Sequence, residues 1–564
     1  MNRRAFLLGS AAAMAGTAAW ARSPLVPPRP DLVIHGGRIY TGDDAAPVVE
    51  ALCILDGRIA WTGARAGVEA LLRAGVPSLD LKGAAMFPGF TDAHAHLLGI
   101  GQRELTLNLE GSASLEAMLA ALSAWAASHP DDAVLVGRGW IETHWPEKRF
   151  PTRQDLDRAV PGRPVILSRA DGHAVVVNSA ALAAAGVTRA TAAPSGGEIL
   201  KDAAGEPTGM LVDAAEGLIG RLIPAESEAE INRALDAAFR VYAGYGWTGL
   251  HNMSVGQAER RALEGRAGDG RVPLRVYNCV TPQAGPRLLA DGATVSADGR
   301  LITRAIKHYA DGALGSRGAA LFAPYADRPD TSGLMQATAA EMVPLYEDAL
   351  RKGIQITTHA IGDRGNAEVL DWYEAALKAV PASARKVADP RFRIEHAQVL
   401  RLSDIPRFKA LGVIPSMQAS HAIGDLYFAP ARLGDARLDG AYAWRRLIEA
   451  GAIIPGGTDA PVERGDPLIE FYAAVARRSL DGFQGPDWRA DQAVDRATAL
   501  KMFTVWPAYA SFREHELGLI KPGYRADFSV FSVDLMTAPA VDIPKAHALL
   551  TVVGGETVYR RDGW

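Results

Sequence analysis

The middle of the chain alternates short apolar runs with longer amphipathic stretches. One such unit reads "TAAEMVPLYEDALRKG" followed by "IQITTHAIGD". The amphipathic stretch predicts a helix, and the short continuous apolar run that follows predicts a buried strand. Repeated alternation of strands and helices predicts an α/β fold with a parallel sheet or a (β/α)8 barrel.

The predicted strands share a second feature, because each runs apolar and then ends in polar residues that can do chemistry. They read "RAIKHYADG", "IQITTHAIGD", "FRIEHAQ", "GVIPSMQ" and "GAIIPGGTDAP". Active sites of (β/α)8 barrels collect at the C-terminal ends of the strands. We therefore expect these polar residues to meet at one mouth of a barrel domain that spans residues 87–510.

Both ends of the chain show a different pattern, in which short apolar runs lie beside turns that contain glycine. Residues 31–86 include "LVIHGGRIYTG" and "CILDGRIAWTG", and residues 511–564 include "LGLIKPGYRADFSVFSV" and "LLTVVGGETVYRRDG". These are signals of strands and turns. We predict one small β-sandwich domain built from both termini, with two unrelated caps as the alternative.

A long segment at about residues 103–220 interrupts the alternation and is rich in Trp, Pro and Gly. We predict that this insertion covers the barrel mouth as a lid. Its motif "SRADGH" contains Arg169 and His173, and its motif "RGWIETHWP" contains Trp140. We predict that these three side chains contact substrate. The alternative is that they build the core of the insertion, with Asp171 paired to Arg169.

The first 21 residues have the pattern of an export signal. Arg3 and Arg4 precede an apolar stretch from Ala5 to Ala19, and an A-x-A sequence ends at Ala21. The arginine pair resembles the twin-arginine signal, which predicts a periplasmic protein. An uncleaved membrane anchor is the alternative. No later stretch has the ~18 uninterrupted apolar residues of a spanning helix, so we expect no stable anchor in the mature protein.

Composition changes this picture little. Of 564 residues, 48% are hydrophobic and 22% are charged, and the formal net charge is −4. This balance gives no reason to expect nucleic acid or an anionic membrane surface as a partner, and it leaves a homodimer open. Cys53 and Cys279 lie in apolar segments, and we expect buried thiols rather than a disulfide.

The motif "FPGFTDAHAH" places His94 and His96 two residues apart behind an apolar run. In a strand, residues two apart point to the same face and are separated by roughly 6.5–7 Å. Two imidazoles in this arrangement can converge on one ion. Taken alone, the motif could equally be a pair of exposed histidines at the start of a loop.

Four further residues at predicted strand ends change that balance. Imidazole nitrogen and carboxylate oxygen are the ligands of Zn²⁺ and similar divalent ions. Each residue also has a structural explanation: a histidine hydrogen-bonded in the core, a lysine paired to Asp311, or an aspartate that caps a turn before Pro461. Their joint occurrence, each at a strand end, favours a metal site. The four residues are Lys307, His359, His396 and Asp459.

These motifs, with others along the chain, resemble the amidohydrolase superfamily. The matching sequences include "FPGFTDAHAH", "RPVILSRADGHAVVVNSAAL", "IKHYADGALGSRGAAL", "THAIGDRGNAEVL", "RIEHAQ", "GGTDAPVE" and "PGYRADFSVF". Within the superfamily, the chain is similar to the branch that contains N-substituted formamide deformylases. The resemblance covers almost the whole mature chain and implies a distorted (β/α)8 barrel with a small β domain.

The resemblance also implies a role for each residue of the predicted metal site. His94 and His96 would bind the more buried ion, and His359 and His396 would bind a second one. Lys307 would bridge the two ions as an N-carboxylated lysine, because a carbamate is anionic whereas a protonated lysine would be repelled by the metal. Asp459 would contact the first ion and exchange protons with water.

The leading hypothesis is a metal-dependent hydrolase that cleaves a non-peptide C–N bond, the amide of a small molecule. A metal-activated hydroxide would attack the carbonyl, and Asp459 would act as the proton shuttle. The cofactor would be one or two divalent ions, with Zn²⁺ expected. Hydrolysis of a cyclic amide, carbamate or ester at the same site is an alternative. A non-catalytic periplasmic solute- or metal-binding protein is an alternative of another class.

Overall fold

The structure is a computed structural model that describes residues 26–27, 29–223, 226–485 and 488–564. The predicted export signal at residues 1–21 lies outside the described residues. Three sheets account for the strands: a central parallel sheet, a sheet over one end of it, and a sheet that joins the two ends of the chain. The predicted α/β class is thereby confirmed.

The central sheet is a parallel barrel. Its eight strands follow the order β6, β13, β14, β16, β17, β18, β19, β20, and every neighbouring pair is parallel. The predicted strands lie in it at consecutive positions. The bounds are β6 Phe90–Ala95, β13 Trp247–Val255, β14 Arg275–Val280, β16 Leu301–Tyr309, β17 Gln355–Ala360, β18 Arg393–His396, β19 Ile414–Gln418 and β20 Gly456–Gly457. The short β15, Thr294–Val295, pairs with β16.

Backbone contacts bring the first and last barrel strands together. Asp459 N donates to His94 O at 2.6 Å, and His96 N donates to Ala460 O at 2.8 Å. Gly457 permits this approach, because a Cβ at that position would lie 2.5 Å from the backbone nitrogen of His94. The barrel therefore closes next to the predicted metal site.

Helices alternate with the barrel strands and cover them. Their ends follow the sequence. Helix α6 is preceded by a capping box of Ser227 and Glu230 and is followed by Gly246, whose φ is +103°. Both are common helix start and stop signals. The helices of the barrel are α2 Leu97–Leu105, α6 Glu228–Tyr245, α7 Gln257–Gly268, α8 Gly285–Asp291, α9 Ala339–Lys352, α10 Asp363–Ala379, α11 Ile405–Leu411, α12 Ala419–Asp425, α13 Ala429–Leu433, α14 Asp435–Leu438, α15 Trp444–Glu449, α16 Pro467–Ala476, α17 Arg496–Phe503 and α18 Val505–Ala510.

Strands from both ends of the chain form one hydrogen-bonded sheet. The link is β5, which pairs with β1 on one side and with β21 on the other. Arg275 at the start of β14 donates hydrogen bonds from Nε and Nη2 to the two carboxylate oxygens of Asp527, at 2.5 and 2.9 Å. This ion pair connects the terminal sheet to the barrel. The strands are β1 Leu32–Tyr40, β2 Val48–Leu55, β3 Arg58–Gly63, β4 Ser78–Asp80, β5 Ala85–Pro88, β21 Phe528–Phe531, β22 Ala548–Val553 and β23 Glu556–Arg560, with helix α1 at Glu69–Arg73.

The segment between α2 and α6 forms a sheet of its own with a separate apolar core. That core includes Leu122, Leu135, Trp140, Trp145 and Val165. We call this unit the lid, because it lies over the C-terminal ends of the barrel strands. Its elements are β7 Leu107–Asn108, β8 Leu135–Trp140, β9 Val165–Arg169, β10 Ala174–Val177, β11 Gly197–Lys201 and β12 Pro207–Asp213, with helices α3 Leu115–Ser128, α4 Arg153–Ala159 and α5 Ser179–Ala185.

Both cysteines are buried and free, as predicted: Cys53 lies in the terminal sheet and Cys279 on β14. Within the described part of the chain, none of the helices combines the length and the apolar character needed to cross a membrane.

Candidate active site

Six side chains meet where the barrel strands end beneath the lid. Ligand atoms of His94, His396 and Asp459 all lie within 4.8 Å of one another. The His359 ring centroid is 4.6 Å from that of His396, and the Lys307 Nζ is 3.5 Å from His94 Nε2. The chain positions are His94 on β6, His96 directly after it, Lys307 on β16, His359 on β17, His396 at the end of β18, and Asp459 after β20.

Asp459 links the two histidines of the β6 motif. Its Oδ1 lies 3.1 Å from His96 Nε2 and 3.3 Å from His94 Nε2, and its Oδ2 lies 3.6 Å from His421 Nε2. Burial raises the pKa of a carboxyl group, but the charge and hydrogen bond of His94, followed by those of His96, hold the pKa of Asp459 well below its usual range. The group is therefore an anion that can bind a cation or accept a proton.

A buried carboxylate fixes the orientation of His94. The Nδ1 of His94 lies 2.6 Å from Glu395 Oε2. Burial opposes ionisation of Glu395, yet Arg393 and then His94 lower the pKa of this carboxyl group, so it remains an acceptor. Nδ1 then donates to Glu395, and Nε2 faces the cluster, where it would coordinate a metal ion. Such a carboxylate behind a histidine is typical of metal sites.

The other two histidines are oriented by neutral acceptors. His396 Nδ1 lies 2.8 Å from the amide oxygen of Gln418, so its Nε2 is left without a proton. His359 Nε2 lies 3.3 Å from the carbonyl oxygen of Gly312, which leaves Nδ1 as its available nitrogen. Burial is the main reason that the pKa values of His359 and His396 fall well below their usual range. Both rings are thus neutral, as metal ligation requires.

Backbone strain accompanies this arrangement. His396 has a φ of +73° and Asp459 a φ of +59°. Non-glycine residues rarely adopt this left-handed conformation, and where they do the surrounding structure must hold them. Asp92 supplies part of that support, because it accepts hydrogen bonds from the backbone nitrogens of His94 at 3.0 Å and Thr458 at 2.9 Å.

Lys307 is buried beside the cluster, with 1% of its surface exposed. The alternative that it pairs with Asp311 does not hold. Asp311 instead accepts hydrogen bonds from the backbone nitrogens of Ala320, Ile361 and Gly362. Within the described residues, no carboxylate lies within salt-bridge distance of the Lys307 amine; besides His94, it faces the ring of Tyr309 at 4.9 Å.

The cluster opens into a cavity of about 570 Å³ between barrel and lid. His173 lines it, with Nδ1 2.7 Å from Asp213 Oδ1 and its ring 5.4 Å from that of His359. Burial acts to lower the pKa of His173, but the hydrogen bond and charge of Asp213 outweigh it and raise the pKa to about 9. His173 is therefore a cation at neutral pH, close to the cluster.

Arg169 also lines the cavity, but its guanidinium is already engaged. It donates to Glu142 at 2.8 and 3.1 Å and forms a further short ion pair with Asp171. The pairing with Asp171 is the one that the structural alternative for this motif expects. Arg169 thus fixes the cavity wall and holds Asp171 in place.

Trp140 is the predicted substrate-contact residue that the structure keeps away from the cavity. Its side chain is fully buried in the lid core, and its Nε1 donates to the carbonyl oxygen of Leu167 at 2.8 Å. The predicted substrate contact does not fit this placement. The physical reason is packing, because the large apolar ring is part of the separate core of the lid.

Several site residues were not predicted from the sequence. Glu395 sits next to His396 in the "RIEHAQ" motif, and Asp213 closes "TGMLVD" at the end of β12, so both offered a signal as polar residues at strand ends. Gln418 ends β19 in the same way. His421 had no such signal, because it lies on α12 and reaches the cluster only through the fold.

The donor set fits a divalent ion on three grounds. The nitrogen and oxygen atoms of His94, His396 and Asp459 are close enough to share one ion. The Nε2 atoms of His94 and His396 are oriented by the contacts of their Nδ1 atoms with Glu395 and Gln418. Imidazole nitrogen with carboxylate oxygen is a ligand set typical of Zn²⁺.

Comparison with known proteins agrees with this site. The amidohydrolase family matches residues 78–559. A Bacillus subtilis (strain 168) relative named as an amidohydrolase, YtcJ, is 36% identical, with 93% of this chain and 99% of the relative covered. The N-substituted formamide deformylase of Arthrobacter pascens is 26% identical over 94% of this chain and 99% of that enzyme. A crystal structure of an uncharacterised metal-dependent hydrolase from Pyrococcus horikoshii OT3 has a TM-score of 0.73 and 26% identity, covering 90% of this chain and 99% of that chain.

Proposed function

This chain belongs to the amidohydrolase family, and we propose that it hydrolyses a non-peptide C–N bond, the amide of a small molecule, in the cavity beneath the lid. Family membership confirms the resemblance that the motifs indicated and makes the protein a metal-dependent hydrolase. The observation that carries the finer proposal is the convergence of His94, His396 and Asp459 at the strand ends.

We propose that one or two divalent ions, Zn²⁺ by preference, are held by the six clustered residues. His94, His96 and Asp459 would hold one ion, and His359 and His396 a second. A bound divalent ion supplies polarisation of a carbonyl oxygen and lowers the pKa of water to about 7. Lys307 would bridge the two ions. Its buried amine has no carboxylate partner among the described residues, and N-carboxylation would turn it into an anionic ligand.

Asp459 is proposed as the proton carrier of the reaction. Its low pKa keeps it ionised before reaction, and its Oδ2 lies 3.6 Å from Nε2 of His421, another residue that lines the cavity. It can take a proton from the attacking water and pass it to the departing nitrogen. The neighbouring His421 then limits where the protonated carboxyl group can turn.

His173 is proposed to contact the substrate from the lid side of the cavity. As a cation held by Asp213, it can donate a hydrogen bond to a substrate oxygen, and it cannot act as a base in this state. Its position on the lid means that substrate binding and lid placement depend on each other. In this proposal the barrel residues carry out the reaction, and the lid residues recognise the substrate.

The test is a reconstitution experiment. The protein is stripped with a chelator, reloaded with Zn²⁺ or Mn²⁺, and assayed on a panel of small amides with detection of released amine and acid. We expect activity that is lost on stripping and restored on reloading, and no activity in His94→Ala. Cyclic amides, carbamates and esters are assayed in parallel. Hydrolysis of those compounds alone would replace the amide assignment, and binding without any product would favour a binding protein.

A further inference from the structure

The lid carries a second arginine at the cavity, Arg138, whose position depends on an irregular strand. On β8, the register against β9 shifts between Arg138 and Trp140, and the intervening Gly139 has a φ of +103°. A Cβ on Gly139 would lie 2.8 Å from the backbone nitrogen of Glu110. Residues two apart normally share a face of a strand, but this bulge separates them. Trp140 enters the lid core, and Arg138 lines the cavity.

In the described part of the chain, the guanidinium of Arg138 has no carboxylate partner. Within residues 29–223, 226–485 and 488–564, no carboxylate oxygen lies within 4 Å of it, and its hydrogen bond to the carbonyl oxygen of Ala170 is long, at 3.4 Å. Arg169, by contrast, is paired with Glu142 and Asp171. Arg138 therefore presents unused donors to the cavity.

The charge on Arg138 is retained despite its surroundings. Burial, followed by the charge of Arg103, lowers the pKa of Arg138 to about 10, so the group remains a cation at neutral pH. A partly buried charge without a partner is costly, and an anion that binds it recovers that cost. Among the charges that act on Arg138 is Asp459, which places the arginine within electrostatic range of the reacting groups.

The rest of the cavity wall restricts which anion fits. The carboxylates of Asp171 and Asp459 also line it, so a dianion would meet more repulsion than a monoanion. Leu314 and Phe428 supply an apolar wall. The preferred ligand is accordingly a partly apolar molecule with a monoanionic group. A planar carboxylate matches the paired N–H donors of a guanidinium.

We propose that Arg138 binds a carboxylate of the substrate, so that the protein acts on amides which carry an acidic group near the scissile bond, such as N-acyl amino acids. This inference rests on the proposed amide hydrolysis and names its substrate class. It assigns recognition to the lid and leaves the reacting groups on the barrel.

The test uses two substrates that differ only in the carboxylate: N-acetylphenylalanine, in both enantiomers, and N-acetyl-2-phenylethylamine, with the N-formyl pair assayed alongside. We expect metal-loaded wild type to prefer the acid. Arg138→Gln should lower kcat/KM for the acid by roughly 10- to 100-fold, mainly through KM, and change the neutral amide little. Arg138→Lys should restore part of the loss. The matched control is Arg158→Gln, an exposed lid arginine on α4, which should leave the preference unchanged.

Two results would overturn the inference. One is a wild-type protein that prefers the neutral amide. The other is an Arg138→Gln variant whose kcat/KM falls equally for both substrates, which would make Arg138 merely structural. Failure of amide hydrolysis altogether is distinguishable, because no substrate would then turn over. In that case calorimetric binding of N-acetylphenylalanine decides the matter: equal affinity in wild type and Arg138→Gln, or no binding to either, refutes carboxylate recognition.

Discussion

At the scale of single residues, we propose that different atoms hold the ion and move the proton. The Oδ1 of Asp459 contacts His94 and His96, whereas its Oδ2 faces His421. His94 and His396 are directed from behind by Glu395 and Gln418. Ligand and proton carrier can therefore be distinguished by substitutions that keep the shape of each side chain.

Asp459→Asn tests the proton carrier. Asn keeps the shape and one oxygen but cannot accept a proton, and general acid–base catalysis is worth about 10²–10⁴-fold. We expect kcat to fall by at least that range, while metal content measured by atomic emission falls far less than in His94→Ala. Near wild-type turnover would assign the proton transfer to another residue. Complete loss of metal would make Asp459 chiefly a ligand.

Lys307→Ala tests the bridging position. The alanine removes the group that would carry the carboxylate, so metal and activity should be lost together. Added formate or acetate should restore part of both, because a small acid can occupy the vacated volume and supply a carboxylate. Metal content and rate are measured on the same samples. Full metal occupancy with a normal rate would show that Lys307 is not a ligand.

At the scale of elements, the strand that carries the first two histidines is fixed by the helix that follows it. Helix α2 starts directly after His96 and packs closely against α6. Gly101 allows this contact, because a Cβ there would lie 1.8 Å from the carbonyl oxygen of Ala234. Small displacements of α2 would therefore act on His96 itself.

Gly101→Ala tests this contact. The added methyl group forces α2 and α6 apart, and overpacking of this kind costs about 1–3 kcal/mol in the free energy of unfolding. The matched control is Gly265→Ala on α7, where nothing lies within 4 Å of the new methyl group. That change should stabilise the protein by about 1 kcal/mol through helix propensity. Denaturant unfolding measures both, and equal effects in the two variants would contradict the packing argument.

The elements also show what the sequence could predict. Strand–helix alternation and polar strand ends predicted the barrel and brought six residues to one mouth, because both signals are local. The partners behind them were harder to predict, since Glu395 reaches His94 across 301 residues. The structure places Trp140 in the lid core rather than at the cavity, for a local reason. The bulge at Gly139 breaks the alternation of faces, so the tryptophan turns inward and Arg138 takes the position at the cavity.

At the scale of the whole molecule, the two ends of the chain depend on each other. Strand β5, at Ala85–Pro88, pairs with β21, at Phe528–Phe531, so the terminal sheet is completed only when the full chain is present. A protein with this topology suits an export route that carries folded proteins. We therefore retain the twin-arginine signal as a proposal for its location.

Replacement of Arg3 and Arg4 by lysines tests the route. If the pair is read by the twin-arginine system, the variant should accumulate in the cytoplasm as folded, metal-loaded enzyme. Cell fractionation with activity and immunoblot detection measures this, with a cytoplasmic marker enzyme as the control for leakage. Normal periplasmic recovery of the double variant would count against the twin-arginine route.

The central claim is that a divalent ion sits at the cluster of His94, His396 and Asp459 in the working enzyme. Anomalous diffraction from crystals of catalytically active protein, collected on both sides of the Zn absorption edge, tests it most directly. The account predicts a peak about 2.0–2.2 Å from ligand atoms of His94, His96 and Asp459 and, where a second ion is bound, another at the same distance from His359 and His396. An active enzyme whose crystals show no anomalous peak for any divalent metal at this cluster would contradict it.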